Sequence, residues 1–442
     1  MALPTNSLIV FFSPSVDVIQ SCFKETKASL KAGHKVDVKG LLSLYEASFL
    51  VVEGEDELDE AREFVVEHLG NLRRSNSLRN PLLAEQIDHA LELPLHWRIP
   101  RMHTRWFIDH YARKEDYIPA LLEFAILDFN LVQSIYKEEL QEMSRWWRSL
   151  DLVCDDLHFI RDRLVENYLL AAGFSFLPEL GRCRTANTKM NCFMATIDDV
   201  YDIYGTLEEL ELFTDAVKEW KIAESKELPH YMKIILVTLF NTIEDIAHTY
   251  YKEKGLDVLS CLKQVWVDLC KSYMVEARWY YTGYTPTFDE YLENAWISSC
   301  GVSGLTVSYC LGQDFRADSF RDLEFYRDTV QHSCTLFRFH NDLATSRAEI
   351  KRGDTPKSIE CYMKEKNVSE RIAREGIASL MRKYWKKLNG ERIAAAKFNV
   401  SFGKTLMDMP RTAQFFYQHG DGYGLQHMKN SDRVISLLFE PI

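Results

Sequence analysis

Residues 192–206 constrain the fold of this chain more than any other stretch, because an apolar helical run there ends in three carboxylates. The uncharged run 193–197 leads directly into Asp198, Asp199 and Asp202. At about 100° per residue, Asp198 and Asp202 lie one turn apart on a shared helix face, and Asp199 points about a quarter turn away. The stretch predicts a mostly buried helix whose last turn presents two carboxylates on one face.

The position of these acids at a helix end calls for a nearby cation. Gly205 predicts the end of the helix, and Thr206 with Glu209 predicts a capping box that opens the next one. A helix C-terminus carries partial negative charge, so carboxylates there are unfavourable unless a cation compensates them, and a divalent metal ion suits their oxygens. The alternative is a solvated acidic helix end, although a run such as 193–197 rarely leads into plain surface.

A second group of oxygen-bearing side chains lies downstream. Asn341, Thr345 and Glu349 are four residues apart, which places them along one stripe of a helix. An amide, a hydroxyl and a carboxylate suit a hard ion such as Mg²⁺, which retains waters or phosphates among its ligands. Arg338 lies on the same face and predicts an anionic ligand, most naturally phosphate. Alone, the stripe is typical of an ordinary polar helix face, but with the aspartates it indicates a metal site.

Two further arginines, Arg161 and Arg163, lie two positions apart. On a regular helix their side chains would diverge, so they converge on one ligand only in a loop or a frayed helix end. The alternative is a surface charge pair with Asp162.

These three motifs together resemble those of plant class I terpene synthases. Residues 198–202 match the family's aspartate-rich motif, residues 341–349 its second metal motif, and residues 161–163 its Arg-x-Arg element, in the family's order. The resemblance extends from about Val38 to the C-terminus and is closest to the angiosperm monoterpene synthases. Chain-elongating prenyl transferases are disfavoured because they carry two aspartate-rich motifs, and no Asp-x-Asp-Asp sequence supports protonation-initiated cyclisation.

The resemblance implies an all-α fold: a class I terpenoid synthase helical bundle preceded by a partial N-terminal helical, α-barrel-like domain. We expect residues 1–115 to form the shortened N-terminal domain and residues 116–442 the catalytic domain. The implied activity is metal-dependent ionisation of a prenyl diphosphate, preferably geranyl diphosphate, to a carbocation that gives a monoterpene, with release of diphosphate. Mg²⁺ or Mn²⁺, with three ions per site, is the implied cofactor.

The resemblance also assigns roles to individual residues. Arg161, Arg163 and Arg338 are expected to stabilise the departing diphosphate as catalytic residues. Asp199 is expected to support the metal ligands rather than to bind metal. The expected metal ligands are Asp198, Asp202, Asn341, Thr345 and Glu349, and the expected substrate-binding residues are Arg161, Arg163, Asp198, Asp202, Arg338, Asn341 and Tyr417.

Two departures from the family bear on the product. Family members carry a tandem-arginine motif, followed by a spaced tryptophan, in a longer N-terminal domain, and Arg73-Arg74 lies too far along the chain to match it. Since the family associates that segment with the isomerisation that precedes cyclisation, an acyclic product such as linalool, geraniol or myrcene is favoured. Leu170 stands where relatives often carry a tryptophan, and leucine supplies volume but no π face for a cation.

Bulk properties exclude several partner classes. The net charge of −12 argues against nucleic acid or an anionic membrane surface as the main partner. The partner that the resemblance implies is a small-molecule prenyl diphosphate, and a monomer or weak homodimer is expected. Ten scattered cysteines without a Cys-x-x-Cys pair indicate reduced thiols in an intracellular protein. The resemblance implies a plastid enzyme, although the absence of a basic residue before Lys24 is untypical of a transit peptide, so the cytoplasm is the alternative.

Other stretches give structural expectations. Trp146 and Trp147 are predicted to pack in the core. Thr287 with Glu290 predicts a capping box, and the glycines at 301 and 304 predict either a helix break at the pocket or close helix packing. The segment 415–424 fits a mobile loop that closes over a pocket or a surface turn. The helices from 207 to 278 give no chemical signature.

Three functional alternatives stay open from the sequence. One is a sesquiterpene synthase that uses farnesyl diphosphate. Another is an inactive protein that folds but lacks the segment covering its site. The third is a helical interaction scaffold without chemistry, which would leave the three ordered motifs unexplained.

Overall fold

The computed structural model is built from helices. The residues it describes are 21, 23–28, 37–75, 78, 80–152, 157, 159–221, 228–312, 315–316, 326–395, 400–423 and 428–442. Within them there is no β-strand, and two residues, Gln418 and Gly420, form an isolated bridge. The all-α prediction is confirmed. The first 20 residues, where the prediction of a poor transit peptide falls, lie outside the described part.

The described part of the chain contains a long series of α-helices. In chain order they are α1 (Val38–Ser48), α2 (Asp56–Arg74), α3 (Pro81–Glu92), α4 (Pro100–Ala112), α5 (Pro119–Ser149), α6 (Leu164–Phe174), α7 (Gly181–Asp199), α8 (Leu207–Glu219), α9 (His230–Lys254), α10 (Leu259–Thr282), α11 (Phe288–Ser298), α12 (Gly301–Cys310), α13 (Arg327–Arg352), α14 (Ser358–Lys366), α15 (Glu370–Ala395), α16 (Val400–Tyr417) and α17 (Met428–Leu438). Short 3₁₀ turns cover Leu95–Trp97 and Pro178–Leu180, and a π-helical segment covers Val200–Tyr204.

The first three helices pack around a core of their own, which includes the buried face of α2. Leu58, Ala61, Val65 and Leu69 recur at helix spacing and are buried, because they line one side of that helix. The start of α3 follows the sequence signal: the Asn80 side chain accepts a hydrogen bond from the backbone N–H of Leu83, and proline occupies the first helical position.

A larger core is formed by α5 to α10 together with α12, α13 and α16. Helix α7 lies inside it, and most of its side chains from Cys183 to Ile197 are buried. Trp147 is buried in this core and Trp146 packs against it, so the prediction for the tryptophan pair is confirmed. Helix α7 therefore runs through the core of the bundle before it reaches the aspartates at its end.

A buried polar link ties the first helices to α15 and α16. The Asn389 amide donates to the carbonyls of Phe49 and Val51 at 3.0 and 2.9 Å, so its oxygen is left to accept a hydrogen bond from His96 Nε2 at 2.7 Å. Arg411 donates to the His96 carbonyl at 2.6 Å. Because these groups are buried and mutually satisfied, the link fixes how the two parts pack. The division at residue 115 stays a prediction.

Both predicted capping boxes are present. The Thr206 hydroxyl accepts from the Glu209 N–H and the Glu209 carboxylate accepts from the Thr206 N–H, and Thr287 and Glu290 form the same pair at the start of α11. In the described part of the chain, no helix has the length and apolarity needed to cross a membrane.

Candidate active site

The aspartate-rich stretch ends in a wider turn than predicted. Helix α7 is regular as far as Asp199, and the next five residues form the π-helical segment. The N–H of Gly205 reaches back to the carbonyl of Val200 at 2.9 Å, and Gly205 then leaves the helix in an extended conformation. The prediction of a helix end at Gly205 is confirmed, but that of a regular last turn is wrong, because the extra residue per turn widens it. Such turns are frequent at functional sites.

The three aspartates occupy different environments. Asp199 is buried and accepts two hydrogen bonds from the Arg161 guanidinium, at 3.0 and 2.7 Å. Asp198 is half-buried, and Asp202 is exposed to solvent. Asp199 is therefore neutralised by an arginine, and the oxygens of Asp198 and Asp202 are left for other partners.

Arg161 and Arg163 lie in an irregular segment that leads into α6. The sequence predicts that they converge on one ligand only in such a segment, and the structure provides one. The Arg163 guanidinium lies 3.5 Å from the Glu166 carboxylate, whereas Arg161 is paired with Asp199 beside the aspartate-rich turn. Whether both bind one diphosphate stays a prediction.

The second oxygen stripe lies on one helix, as predicted. Arg338, Asn341, Thr345 and Glu349 all belong to α13, which ends at Gly353 in the left-handed conformation. The Thr345 hydroxyl donates to the carbonyl of Asn341 at 3.0 Å. One buried carboxylate oxygen of Glu349, Oε2, has no hydrogen-bond partner. A buried oxygen without a donor is costly, which indicates that Glu349 is arranged for a cation.

Arg338 is held rigidly at the buried side of this stripe. Its guanidinium donates to the carbonyl of Ala295 at 3.3 Å and to the hydroxyl of Ser298 at 3.0 Å, and it lies 3.7 Å from the Asp342 carboxylate. Asp342 in turn accepts from the Tyr291 hydroxyl at 2.6 Å. The arginine is therefore positioned by helix α11 as well as by its own helix.

Two charged residues that the sequence analysis did not single out lie in the same region. Lys357, just before α14, donates to the Glu276 carboxylate on α10 at 2.9 Å, and both side chains are buried. Ser298 and Asn294 also donate to Glu276. Residues 207–278 thus contribute a buried charged residue, Glu276, that their amphipathic pattern did not indicate. One signal was available: a lysine at a helix N-terminus opposes the helix dipole, so it implies a compensating anion.

Both oxygen groups contribute charge near Lys357. Burial alone would lower the pKa of Lys357, but the carboxylates of Glu276, Asp202 and Glu349 outweigh it and hold that pKa above the usual value. Asp202 belongs to the aspartate-rich turn and Glu349 to the α13 stripe. Both motifs therefore lie near one ammonium group, and the region around it that contains Asp198, Asp202, Asn341, Thr345 and Glu349 is called the mouth.

The free carboxylates of this mouth are short of positive charge. Burial and then the neighbouring Asp199 raise the pKa of Asp198 to about 6, and burial and then Asp198 raise that of Asp202 to about 7. Burial also raises the pKa of Glu349 to about 7. For Glu276, burial alone would raise the pKa, but Lys357 and Arg338 lower it to about 2. The charge of Glu276 is therefore compensated by neighbouring cations, whereas the charges of Asp198, Asp202 and Glu349 are not fully compensated.

The donor set fits a hard divalent cation that keeps external ligands. Within the described residues, no three Asp, Glu, His or Cys side chains converge as a metal-holding group. Mg²⁺ is commonly bound by one or two carboxylates together with waters and substrate phosphates, and it needs no all-protein cage. The orphaned Glu349 oxygen and the raised carboxylate pKa values show that the residues present fit such an ion.

Tyr417 lies near the second oxygen stripe. It is the last residue of α16, and the Asn341 side chain is among the groups that act on its pKa, which burial raises. Farther along, the Tyr423 hydroxyl donates to Asn167 at 2.7 Å, which ties the segment after α16 to α6. Tyr417 is thus brought to the predicted site. Closure by the 415–424 segment stays a prediction, and its last residue lies outside the described part.

The 301–304 region begins after a helix break and also contains a closely packed glycine, whereas a role in lining the pocket stays a prediction. Helix α11 ends at Ser298, and Cys300 adopts a left-handed conformation with φ of 65°, so the chain breaks before α12. A Cβ at Gly301 would lie 2.8 Å from the Cys334 sulfur, so close packing also demands glycine there. The Cys300 sulfur lies 2.9 Å from the Tyr273 hydroxyl.

Comparison with known families agrees with this arrangement. Residues 149–387 match the model described as "Terpene synthase family, metal binding domain", and residues 14–91 match "Terpene synthase, N-terminal domain". The first match includes Arg161, both oxygen groups and Lys357.

Individual proteins are similar along most of the chain. Monoterpene synthase 7, chloroplastic, from Hedychium coronarium is 47% identical over 432 residues, which cover 98% of this chain and 73% of the relative. The (-)-alpha-terpineol synthase of Vitis vinifera is 47% identical over 96% of this chain and 71% of its own length. Isoprene synthase from grey poplar, solved with three Mg²⁺ ions and dimethylallyl-S-thiolodiphosphate, superposes with a TM-score of 0.86 at 44% identity, over 92% of this chain and 77% of that one.

Proposed function

The chain belongs to the terpene synthase family, and on that premise we propose that it ionises geranyl diphosphate to a carbocation that gives a monoterpene. As a terpene synthase it is a carbon–oxygen lyase with a divalent metal cofactor. The finer assignment of the cofactor, three Mg²⁺ or Mn²⁺ ions held by Asp198, Asp202, Asn341, Thr345 and Glu349, is part of the proposal.

One observation supports the proposal most directly: a buried carboxylate oxygen of Glu349 has no hydrogen-bond partner, and Glu349 and Asp202 both contribute charge near Lys357. A prenyl diphosphate carries its negative charge at one end. Asp198, Asp202 and the α13 stripe would hold metal ions that neutralise this charge, and Arg161, Arg338 and Lys357 would supply further positive charge near it.

The protein's contribution to the reaction is electrostatic. Divalent ions, when bound, stabilise the negative charge that develops on the departing diphosphate. Arg338 is fixed by Ala295 and Ser298, so it reaches the charge without reorganisation. No protein nucleophile is needed, because the allylic C–O bond breaks by ionisation. An apolar, aromatic cavity is proposed to keep the carbocation from water until it loses a proton or is captured.

The proposed chain length and location rest on the relatives. Their names include monoterpene synthases, which supports a C10 substrate, and isoprene synthase, whose bound analogue is a C5 diphosphate. Farnesyl diphosphate is kept as the alternative substrate. The name of the Hedychium relative includes "chloroplastic", which supports a plastid location for this enzyme. Oligomeric state is proposed to be monomer or weak homodimer.

Product analysis tests the proposal. The purified chain would be incubated separately with dimethylallyl, geranyl and farnesyl diphosphate, with Mg²⁺, with Mn²⁺ and with a chelator, and the volatile products separated by gas chromatography. We expect a metal-dependent monoterpene from geranyl diphosphate and a strong loss of it in Glu349→Gln. The exposed Glu219→Gln is the matched control and should keep the product.

Other outcomes would overturn the proposal in a defined way. Product from farnesyl diphosphate alone would make the chain a sesquiterpene synthase, and isoprene from dimethylallyl diphosphate would make it a C5 enzyme. If no substrate gave a product, in a protein shown to be folded by circular dichroism, the chain would be an inactive member of the family.

A further inference from the structure

Two cysteines far from the mouth contact each other through their sulfur atoms. Cys261, in the first turn of α10, and Cys310, the last residue of α12, have their sulfurs 3.3 Å apart and are both free thiols. They are 49 positions apart in the sequence. We propose that Cys261 and Cys310 form a reversible dithiol site that disulfide reagents oxidise, and that the resulting disulfide joins α10 to α12.

The two thiols differ in a way that gives each a role. Cys261 is partly exposed, so a small disulfide can reach it, whereas Cys310 is fully buried. The hydrogen bond between them lowers the pKa of the Cys261 thiol and raises that of Cys310. The first turn of a helix also favours a thiolate. Cys261 is therefore the attacking sulfur and Cys310 the resolving one.

The other described cysteines have different neighbours. The Cys183 thiol lies 3.8 Å from the Ser308 carbonyl, Cys192 receives a hydrogen bond from Asn167, and Cys300 contacts Tyr273. Among the described cysteines, Cys183 also lies near Cys310 and could compete with Cys261 for the disulfide bond to it.

The chemistry balances with a disulfide such as oxidised glutathione as the oxidant. The Cys261 thiolate attacks one sulfur of glutathione disulfide, which forms a mixed disulfide and releases one glutathione thiolate. Cys310 loses its proton to water and attacks the Cys261 sulfur, which releases the second glutathione. The protein loses two electrons and two protons, and the oxidant gains two electrons to become two thiols.

The bond would connect two helices that both reach the active site. Helix α10 carries Glu276 and Tyr273, and α12 begins beside Cys300, which contacts Tyr273. Cys261 and Cys310 lie at the opposite ends of these helices, so the disulfide would fix their spacing without touching the metal-binding groups. Closing this long loop in the unfolded chain stabilises the fold, with an upward shift of the melting temperature of about 2–4 °C.

The test measures thiols and stability, so it does not depend on which substrate the enzyme uses. The reduced full chain would be treated with oxidised glutathione, alkylated, digested and analysed by mass spectrometry, and its melting temperature measured before and after. We expect a Cys261–Cys310 cross-linked peptide, loss of two hydrogen atoms, the upward melting shift, and reversal of all three by dithiothreitol.

Cysteine variants distinguish a reactive dithiol site from two thiols that only pack against each other. Cys310→Ser, with Cys310→Ala if it folds poorly, should trap a stable glutathione adduct on Cys261, and Cys261→Ser should abolish cross-link and melting shift. Cys183→Ser is the matched control and should behave like the parent. An unchanged thiol count in the parent, a cross-link to Cys183, or a permanent adduct on Cys261 without closure would each overturn the proposal.

Discussion

Two ionic regions of this molecule differ in how completely their charges are compensated. Around Arg184, which is 0% exposed, the guanidinium donates twice to Glu139, at 2.8 and 2.7 Å, and also to the backbone carbonyls of Ser175, Leu177 and Pro178. At the mouth, Asp198, Asp202 and Glu349 have raised pKa values and a carboxylate oxygen without a donor.

The difference teaches how to distinguish structural from functional charge in this chain. A charge buried for stability is paired and fully hydrogen-bonded, because an uncompensated one costs several kcal/mol. Lys357 and Glu276 resemble the Arg184 pair in this respect, and they border the mouth carboxylates that do not. The compensated ion pair of Lys357 and Glu276 thus helps to hold in place the carboxylates whose charge is not compensated.

Breaking the compensated pair should have the largest effect on stability. Arg184→Met leaves the half-buried Glu139 carboxylate without its cation, although the Tyr168 hydroxyl still donates to it, and we expect a loss of about 3–5 kcal/mol in the free energy of unfolding. Chemical denaturation followed by circular dichroism measures it. On the same helix, Arg182 forms an exposed pair with Glu253, and Arg182→Met should cost less than about 1 kcal/mol. Equal costs for the two variants would contradict the comparison.

Removing a mouth carboxylate should affect catalysis instead. Asp198→Asn is expected to lower kcat by about 10²–10³, because charge on the departing diphosphate loses its stabilisation. The melting temperature of the metal-free protein should stay the same or rise, since a carboxylate near Asp199 and Asp202 is repelled by them. Steady-state kinetics and thermal melts measure the two effects.

The exposed Asp245→Asn is the matched control for this variant and should change neither quantity. If Asp198→Asn unfolded the metal-free protein, the carboxylate would be structural, and the distinction between the two regions would fail.

Glu46 extends the comparison of the two regions to a third carboxylate. Its charge is poorly compensated, and it is far in sequence from the mouth residues. It accepts the Leu95 N–H at 2.8 Å, and burial raises its pKa to about 7 against the lowering effects of that bond and of Arg98. A raised acid pKa destabilises the fold as pH rises from the unfolded value to the folded one. The penalty is therefore absent below about pH 4.5, grows up to about pH 7 and is complete above it.

Glu46→Gln keeps an acceptor for Leu95 and removes the charge. We expect this variant to gain about 1–2 kcal/mol over the parent at pH 8 and nothing at pH 4.5, with activity unchanged. Denaturant titrations at the two pH values measure the difference, with the exposed Glu53→Gln as control. A gain that does not depend on pH would show that the charge of Glu46 is not its cause.

Signals confined to a few neighbouring residues determined much of this fold. The capping boxes at Thr206 and Thr287, the proline start of α3 and the stripe on α13 could be predicted, because each depends on contacts within about one helical turn. The family motifs placed the aspartates and the arginines in the right order along the chain. The roles of those residues stay predictions.

Tertiary packing decided the rest. The π-helical turn at Val200–Tyr204 breaks the helical period that the prediction assumed. The Lys357–Glu276 pair joins residues 81 positions apart, and the His96–Asn389 bond joins residues 293 apart. No local pattern encodes such partners, because they depend on how whole helices pack. The sequence by itself therefore determined where helices begin and end and which polar residues share a helix face, and only the packed bundle decided which charges are compensated and which oxygens lie near the same ammonium group.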